Sequence, residues 1–132
     1  VSGFLAQIGS DATFADGDRG VYPSFALPAG VDLSTGCALA LRARCLKPAD
    51  VRVILWEGAG NVGYLTSRSI VPADGQWHVA VVDFKSLTLS GANDPDPDGK
   101  LDLDKVARLS IGMNAKERSA ALEVSALYIL GR

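Results

Sequence analysis

The chain has 132 residues, 48% of them apolar and 21% charged, the balance of a globular domain able to bury about two-thirds of its unfolded surface. Its 13 basic and 15 acidic residues leave a net charge of −2, which argues against nucleic acid, because phosphate contacts need a concentrated basic face. No apolar run approaches the ~20 residues of a membrane span, so a membrane is not expected as a partner either.

Period-two alternation dominates the chain. The first expected strands are FLAQIGS, ATFADG and GVYPSFALP. In CALALRARC, Cys37, Leu39, Leu41, Ala43 and Cys45 share one face, and Ala38, Ala40, Arg42 and Arg44 the other. In VRVILWE, Val51, Val53 and Leu55 alternate with Arg52, Ile54 and Trp56. VGYLTSRSIV follows, and then QWHVAVVDF, where the parity of Trp77, Val79 and Val81 is read as inward and that of His78, Ala80 and Val82 as outward. In ARLSIGM, Leu109, Ile111 and Met113 alternate with Arg108, Ser110 and Gly112, and AALEVSALYIL closes the chain. Each run reads as a strand with one face in a core.

Turn residues punctuate these runs: Asp16-Gly17 with Gly20, Pro28-Ala29-Gly30, Lys47-Pro48, Gly58-Ala59-Gly60-Asn61, and Pro72-Ala73-Asp74-Gly75. LDLDKVARL has room for one helical turn near residues 103–106. About nine short strands with polar turns imply an all-β fold, an antiparallel β-sandwich. Cys37 and Cys45 would lie about 26 Å apart on one strand, too far for a disulfide, so two buried thiols are expected.

The Gly58–Asn61 turn makes a hairpin of its flanking strands. If paired residues sum to 120, Trp56 stands opposite Tyr64, away from the core, with Cβ atoms ~5 Å apart. Such an aromatic pair offers a flat platform for the C–H face of a sugar ring. Arg42, Arg44, Arg68 and His78 share the outward parity and could read hydroxyls. Tyr22 joins them if Phe25 and Leu27 point inward. Trp77 is assigned to the core.

The longest connection, residues 85–105, contains NDPDPDGKLDLDK with five carboxylates, Asp94, Asp96, Asp98, Asp102 and Asp104. Long loops in compact domains are often functional. Asp94, Asp96 and Asp98 match the first, third and fifth ligands of a twelve-residue calcium loop, Gly99 its turn glycine and Asp102 its ninth position. The twelfth position, which needs a bidentate acid, is Lys105, so an EF-hand is excluded. A looser structural calcium on Asp94, Asp96, Asp98 and Asp102 remains an expectation.

Catalytic signatures are thin. There is no nucleophile elbow, Cys–His spacing or phosphate loop, and His78 is the one histidine. Asp83 and Glu57 could be imagined as a hydrolytic carboxylate pair, but nothing selects them over other acids. No enzyme is expected.

The succession FALPAGVDLSTGCALALRAR, VRVILWEGAGNVGYLT, GQWHVAVVDFKSL, DGKLDLDKVARLSIGM and LEVSALYIL resembles the jelly-roll carbohydrate-binding modules of families eleven and four, appended to polysaccharide-degrading enzymes. The resemblance covers about residues 25–130. It implies a jelly roll, a polysaccharide ligand with a β-glucan or plant cell-wall glycan as first choice, an attached catalytic domain and a secreted location. The family's closing strand often carries an acidic pair that helps hold calcium. Here that stretch is Val124-Ser125-Ala126-Leu127, with Glu123 the nearest acid. The chain starts at Val1, and residues 1–132 are expected to form one binding module of a longer protein. The rival expectation is a structural sandwich domain of a multidomain secreted glycoside hydrolase, with no sugar contact.

Overall fold

The computed structural model describes residues 3–7, 12–15, 20–22, 24–27, 31–46, 48–58, 60–91, 93–115 and 121–131. The expected turns at Asp16-Gly17 and Pro28-Ala29-Gly30, the strand residues 8–10, and Pro23, Lys47 and Ala59 lie outside them.

The described residues are all-β. The strands are β1 (Gly3–Gln7), β2 (Ala12–Ala15), β3 (Gly20–Val21), β4 (Ser24–Ala26), β5 (Gly36–Cys45), β6 (Ala49–Glu57), β7 (Val62–Leu65), β8 (His78–Asp83), β9 (Thr88–Leu89), β10 (Val106–Ala115) and β11 (Ala121–Gly131). Short 3-10 turns occupy Leu33–Thr35, Phe84–Ser86 and Leu103–Lys105, the last where one helical turn is expected. Asp32 and Asp83 cap the first two by accepting from the amides of Ser34 and Lys85.

Two antiparallel sheets form a sandwich. The first runs β1-β11-β5-β8, with β2 also against β11; the second runs β3-β10-β6-β7-β9, with β4 also against β10. β1 and β2 lie along the same edge of β11, and β3 and β4 along the same edge of β10. Counted by position in the sheets, the eleven segments fill nine places, though not the nine runs of the alternation, which gives β1 and β2 a run each and none to β9.

The core lies between the sheets. Leu39, Leu41, Ala43 and Cys45 of β5 meet Val51, Val53 and Leu55 of β6 and Leu109, Ile111 and Met113 of β10. Each large apolar side chain fully buried here contributes roughly 1.5–3 kcal/mol. These three strands face as their alternation predicts. Cys37 stands near the start and Cys45 at the end of one uninterrupted strand, which keeps them from bridging. Cys45 is buried as expected, whereas Cys37 is only partly buried, its thiol donating to the Gly131 carbonyl at 3.5 Å.

β8 faces the other way from its expected parity. Ala80 and Val82 are inside at 8% and 4% exposure, while Val79 and Val81 stand outside at 70% and 61%. Trp77 precedes the strand on the outward parity and is half-buried rather than a core residue. The reason is in the composition: both faces of β8 are apolar, so alternation marks a strand without saying which side is in. Pairing with β5, Leu39 to Val82 and Leu41 to Ala80, decides it.

The hairpin of β6 and β7 also differs from expectation. Its last pair is Glu57 with Val62, so paired residues sum to 119. One residue of slip reverses every side chain. Tyr64 therefore lies opposite Leu55 in the core, at 4% exposure, and Trp56 lies opposite Gly63 on the outer face. No helix of the described residues is long and apolar enough to cross a membrane.

Candidate functional site

The expected site residues divide among four places. Arg42 and Arg44 lie on the outer face of the first sheet, Trp56 and Tyr22 belong to the second, and Tyr64 is internal. Arg68 sits in the exposed segment after β7. His78 has the inward parity of its strand but opens it, and its Nε2 lies 2.9 Å from both carboxylate oxygens of Asp74. The Asp74 carboxyl is held below the usual range, first by the Gln76 amide and then by His78.

On the first sheet, the Arg42 and Arg44 guanidiniums stand over the Trp77 ring at 4.2 and 5.0 Å from its centroid. Stacks of this kind contribute about 0.5–1 kcal/mol at exposed sites. Arg44 also pairs across the strands with Glu123 at 2.5 Å, and Arg42 donates to the Ser125 hydroxyl at 3.0 Å. Farther along, Tyr128, Ala40 and Val81 form one cross-strand row. This surface is apolar around the two exposed valines, and the charge of Arg44 is compensated.

The outer face of the second sheet differs in chemistry. β10 presents Arg108, Ser110, Gly112 and Asn114, and β6 presents Asp50, Arg52, Ile54 and Trp56. On the other side of β10, Ala26, Ser24 and Gly20 stand opposite Arg108, Ser110 and Asn114. The same register places Tyr22 opposite Gly112, and Arg52 is opposite Gly112 on the β6 side. Tyr22 and Arg52 thus flank a position that contributes no side chain.

Hydrogen bonds fix this face. The Trp56 indole N–H donates to Ser110 Oγ at 2.8 Å, and Ser110 Oγ is 2.9 Å from Ser24 Oγ. Arg108 lies over the Trp56 ring, 4.5 Å from its centroid. It donates to Ser24 Oγ at 3.1 Å, to the Gly60 carbonyl at 3.0 Å and to Asn61 Oδ1 at 3.4 Å. With the ring 8% exposed, Trp56 supports Arg108 rather than offering an open platform. Arg52 donates to the Thr66 carbonyl at 2.9 Å. Asn114 Nδ2 donates to the Tyr22 hydroxyl at 2.7 Å. Burial pushes the Tyr22 phenol up, and nearby Arg52 partly offsets this.

Arg52, Arg108, Ser24, Asp50 and Asn114 were not among the residues expected here. The alternation of VRVILWE already puts Arg52 on the side of Trp56, and that of ARLSIGM frees Arg108 from the core. The missing signal is strand order, which brings β4, β10 and β6 side by side and sends β5 to the other sheet.

The acidic loop lies elsewhere. Asp94 Oδ2 accepts from the Asn61 amide, Asp96 Oδ2 from the Tyr64 hydroxyl, and Asp98 Oδ1 from the Lys100 amide. Glu57 Oε2 accepts from the Asp102 amide at 2.6 Å. The Asp98 carboxyl is held low by the Lys100 amide and by its bond with Asp102, and Asp102 is pushed up by that same bond. Gly99, at φ 65°, supplies the left-handed turn that a side chain would strain. Calcium takes six to eight oxygens around one point. Among the described residues, no three His, Cys, Asp or Glu side chains gather in that way. Asp94, Asp96 and Asp98 accept from protein donors, and Asp102 pairs with Lys105.

Glu57 and Asp83 end strands of different sheets.

No family model and no curated protein matches the sequence. Among solved structures, the chain is similar to a family 11 carbohydrate-binding module from Clostridium thermocellum in complex with a β-1,3-1,4-mixed-linked tetrasaccharide. That match has a TM-score of 0.71 and 18% identity over 92% of this chain and 83% of that one. It is also similar to the family 11 module of the cellulosomal cellulase Lic26A-Cel5E of Clostridium thermocellum, with a TM-score of 0.71 and 17% identity over 93% and 82% of the two chains. A third match, CtCBM11 in solution, has a TM-score of 0.67 and 16% identity over 100% and 97%. At these identities the likeness establishes the fold: the chain has the jelly-roll sandwich of family 11 carbohydrate-binding modules.

Proposed function

We propose that the chain is a non-catalytic carbohydrate-binding module that takes a polysaccharide along the outer face of its second sheet. One observation carries the reading: the row Tyr22–Gly112–Arg52, an aromatic ring and a guanidinium flanking a residue without a side chain. A ring to stack on, donors to read hydroxyls and bare backbone between them are what a sugar unit needs. Asn114 orients Tyr22, and the Trp56–Arg108 stack extends the surface one row beyond Ser110. Three solved modules of the same fold support a glycan ligand, one of them bound to a mixed-linked tetrasaccharide. A β-glucan or another plant cell-wall glycan is the ligand class of first choice. An attached catalytic domain and a secreted location complete the proposal.

The test is affinity electrophoresis through gels containing a panel of soluble polysaccharides, neutral and acidic. Tyr22→Ala is expected to lose the retardation while its circular dichroism stays that of the parent. Retardation that survives this substitution would remove the second sheet as the binding face.

A second reading has its own observation. Val79 and Val81, 70% and 61% exposed on the first sheet, suit a structural sandwich domain that docks on a neighbouring domain through that face. Absence of binding to every glycan in the panel, with weaker retention of Val79→Thr/Val81→Thr on a hydrophobic column, would favour it.

A further inference from the structure

We infer that the glycan on the second sheet is anionic, a polymer whose successive units carry carboxylates. This rests on the glycan-binding reading above and narrows it to the acidic plant cell-wall glycans, setting the neutral β-glucan aside. The inference comes from a census of charge on that face. At the outward positions of β3, β4, β10, β6 and β7, the charged residues among those described are Arg108, Arg52 and Asp50. The ion pairs among the described residues are Arg44–Glu123, His78–Asp74 and Lys105–Asp102. Neither Arg52 nor Arg108 is in one, so neither guanidinium has a carboxylate within 4.0 Å among the described residues.

On the first sheet, Arg44 meets Glu123 across the strands, while Arg42 donates to the neutral Ser125 hydroxyl. On the second sheet, the acceptors that both arginines meet among the described residues are neutral. Arg108 has the Ser24 hydroxyl, the Gly60 carbonyl and the Asn61 amide oxygen, and Arg52 has the Thr66 carbonyl. Arg52 Nε, like Arg44 Nε on the first sheet, is buried without a hydrogen-bond partner among the described residues. A guanidinium carries five N–H donors in a planar fork, so both groups keep donors beyond those bonds. Anchored but uncompensated, each is prepared for an oxyanion, and a bond to carboxylate is roughly twice as strong as one to a neutral hydroxyl.

Spacing argues for a polymer rather than a lone acid. Arg108 pairs with Trp56, and Arg52 with Gly112, so the two arginines lie four residues apart along neighbouring strands. At the rise of a strand that is about 13–14 Å between Cα atoms, and the Arg108 head is anchored at Trp56 and Gly60 while the Arg52 head is anchored at Thr66, so the two do not converge on one carboxylate. Two acidic units of one chain would each meet one arginine. Asp50 lies beyond Arg52 on the same face of β6, so the charge along this face runs positive, positive, negative. An acidic chain would be held between Arg108 and Arg52 and repelled past them.

The experiment is isothermal titration of the full chain with an oligogalacturonate and with a neutral mixed-linkage β-glucan oligosaccharide of similar length. Both are run at low salt and near 0.3 M salt. The acidic ligand is expected to bind at least about tenfold more tightly at low salt, the ratio one added charge-assisted bond supplies. That advantage should shrink in high salt, where exposed charges are screened. Arg52→Gln and Arg108→Gln should each remove most of it, and Arg52→Lys should keep part. Circular dichroism of each variant checks its folding. Binding of the neutral ligand as tightly as the acidic one overturns the anionic class and leaves the glycan reading standing. Acidic binding indifferent to the arginine variants also overturns it, because the charge is then read elsewhere. No binding of either ligand sets both readings aside.

Discussion

The hydroxyl of Tyr64 donates a 2.5 Å hydrogen bond to Oδ2 of Asp96, tying a core side chain of β7 to the acidic loop. The loop is thereby a structural strap of the second sheet. The Asp94 amide donates to the Asn61 carbonyl, and Glu57, at the end of β6, accepts from the Asp102 amide.

Removing this tie gives a pH-dependent prediction. Burial, followed by the bond to Asp96 and the neighbouring Glu57 and Asp98 charges, pushes the Tyr64 phenol well above its ordinary 10. The folded state then holds this proton more tightly than the unfolded state. Above pH 10 the unfolded chain binds fewer protons, and stability falls as pH rises. Tyr64→Phe is expected to cost about 1–3 kcal/mol at pH 8. The difference from the parent should narrow above pH 10, where the parent begins to lose the same contribution. Urea unfolding at several pH values reads this out, and a constant gap would contradict it.

Glu57→Gln is expected to stabilise the protein at pH 7. Burial pushes the Glu57 carboxyl up, the Asp102 amide partly offsets this, and Asp96, Asp102 and Asp98 raise it further. The stability contributed by a raised carboxyl is present below its unfolded pKa and lost as pH rises through the folded one. At neutral pH the charge is therefore a cost, and a Gln oxygen can still accept from the Asp102 amide. The melting temperature should rise at pH 7, with the gain vanishing near pH 4. A fall at pH 7 would mean that the charged bond outweighs the burial.

Gly63→Ala should displace Trp56. A Cβ at Gly63 would stand 2.8 Å from Cζ3 and 3.0 Å from Cε3 of the indole, and 3.1 Å from Cγ2 of Ile54. Overpacking of this kind costs about 1–3 kcal/mol. Moving the ring also endangers its bond to Ser110 and the Arg108 stack. In a Trp77→Phe background, Trp56 emission should shift to the red as the melting point drops. An unchanged spectrum would show that the ring has room to adjust.

Saturating calcium is expected to leave the melting temperature within about a degree, because a ligand that binds neither state shifts nothing. The carboxylates of the acidic loop meet amides, the Tyr64 hydroxyl and Lys105. A rise of several degrees, lost in Asp98→Asn, would instead identify a cation that draws Asp98 and Asp102 together in place of their shared hydrogen bond.

Alternation in the sequence was enough for most of the strands, though not for β9, and for the inward faces of β5, β6 and β10, because each of these carries an Arg on its other face. It was silent where both faces of a run are apolar. In β8, Val79 and Val81 compete with Ala80 and Val82, and pairing with β5 makes the choice. It also failed at the hairpin, where one residue of register separates Tyr64 on the surface from Tyr64 in the core.

The residues of the candidate binding face were legible one at a time and not as a set. Arg52 and Trp56 share a face by spacing alone, as do Arg108, Ser110 and Asn114. Local sequence carries side-chain parity, since that is a property of a single strand. It does not carry strand order, which arises from contacts such as Met113 with Val51 and Val21, residues distant along the chain. Tertiary structure alone put Arg42 and Arg44 on one sheet and Arg52 and Arg108 on the other. Long-range pairing, selected by burial of the shared core, decides which outward faces become neighbours.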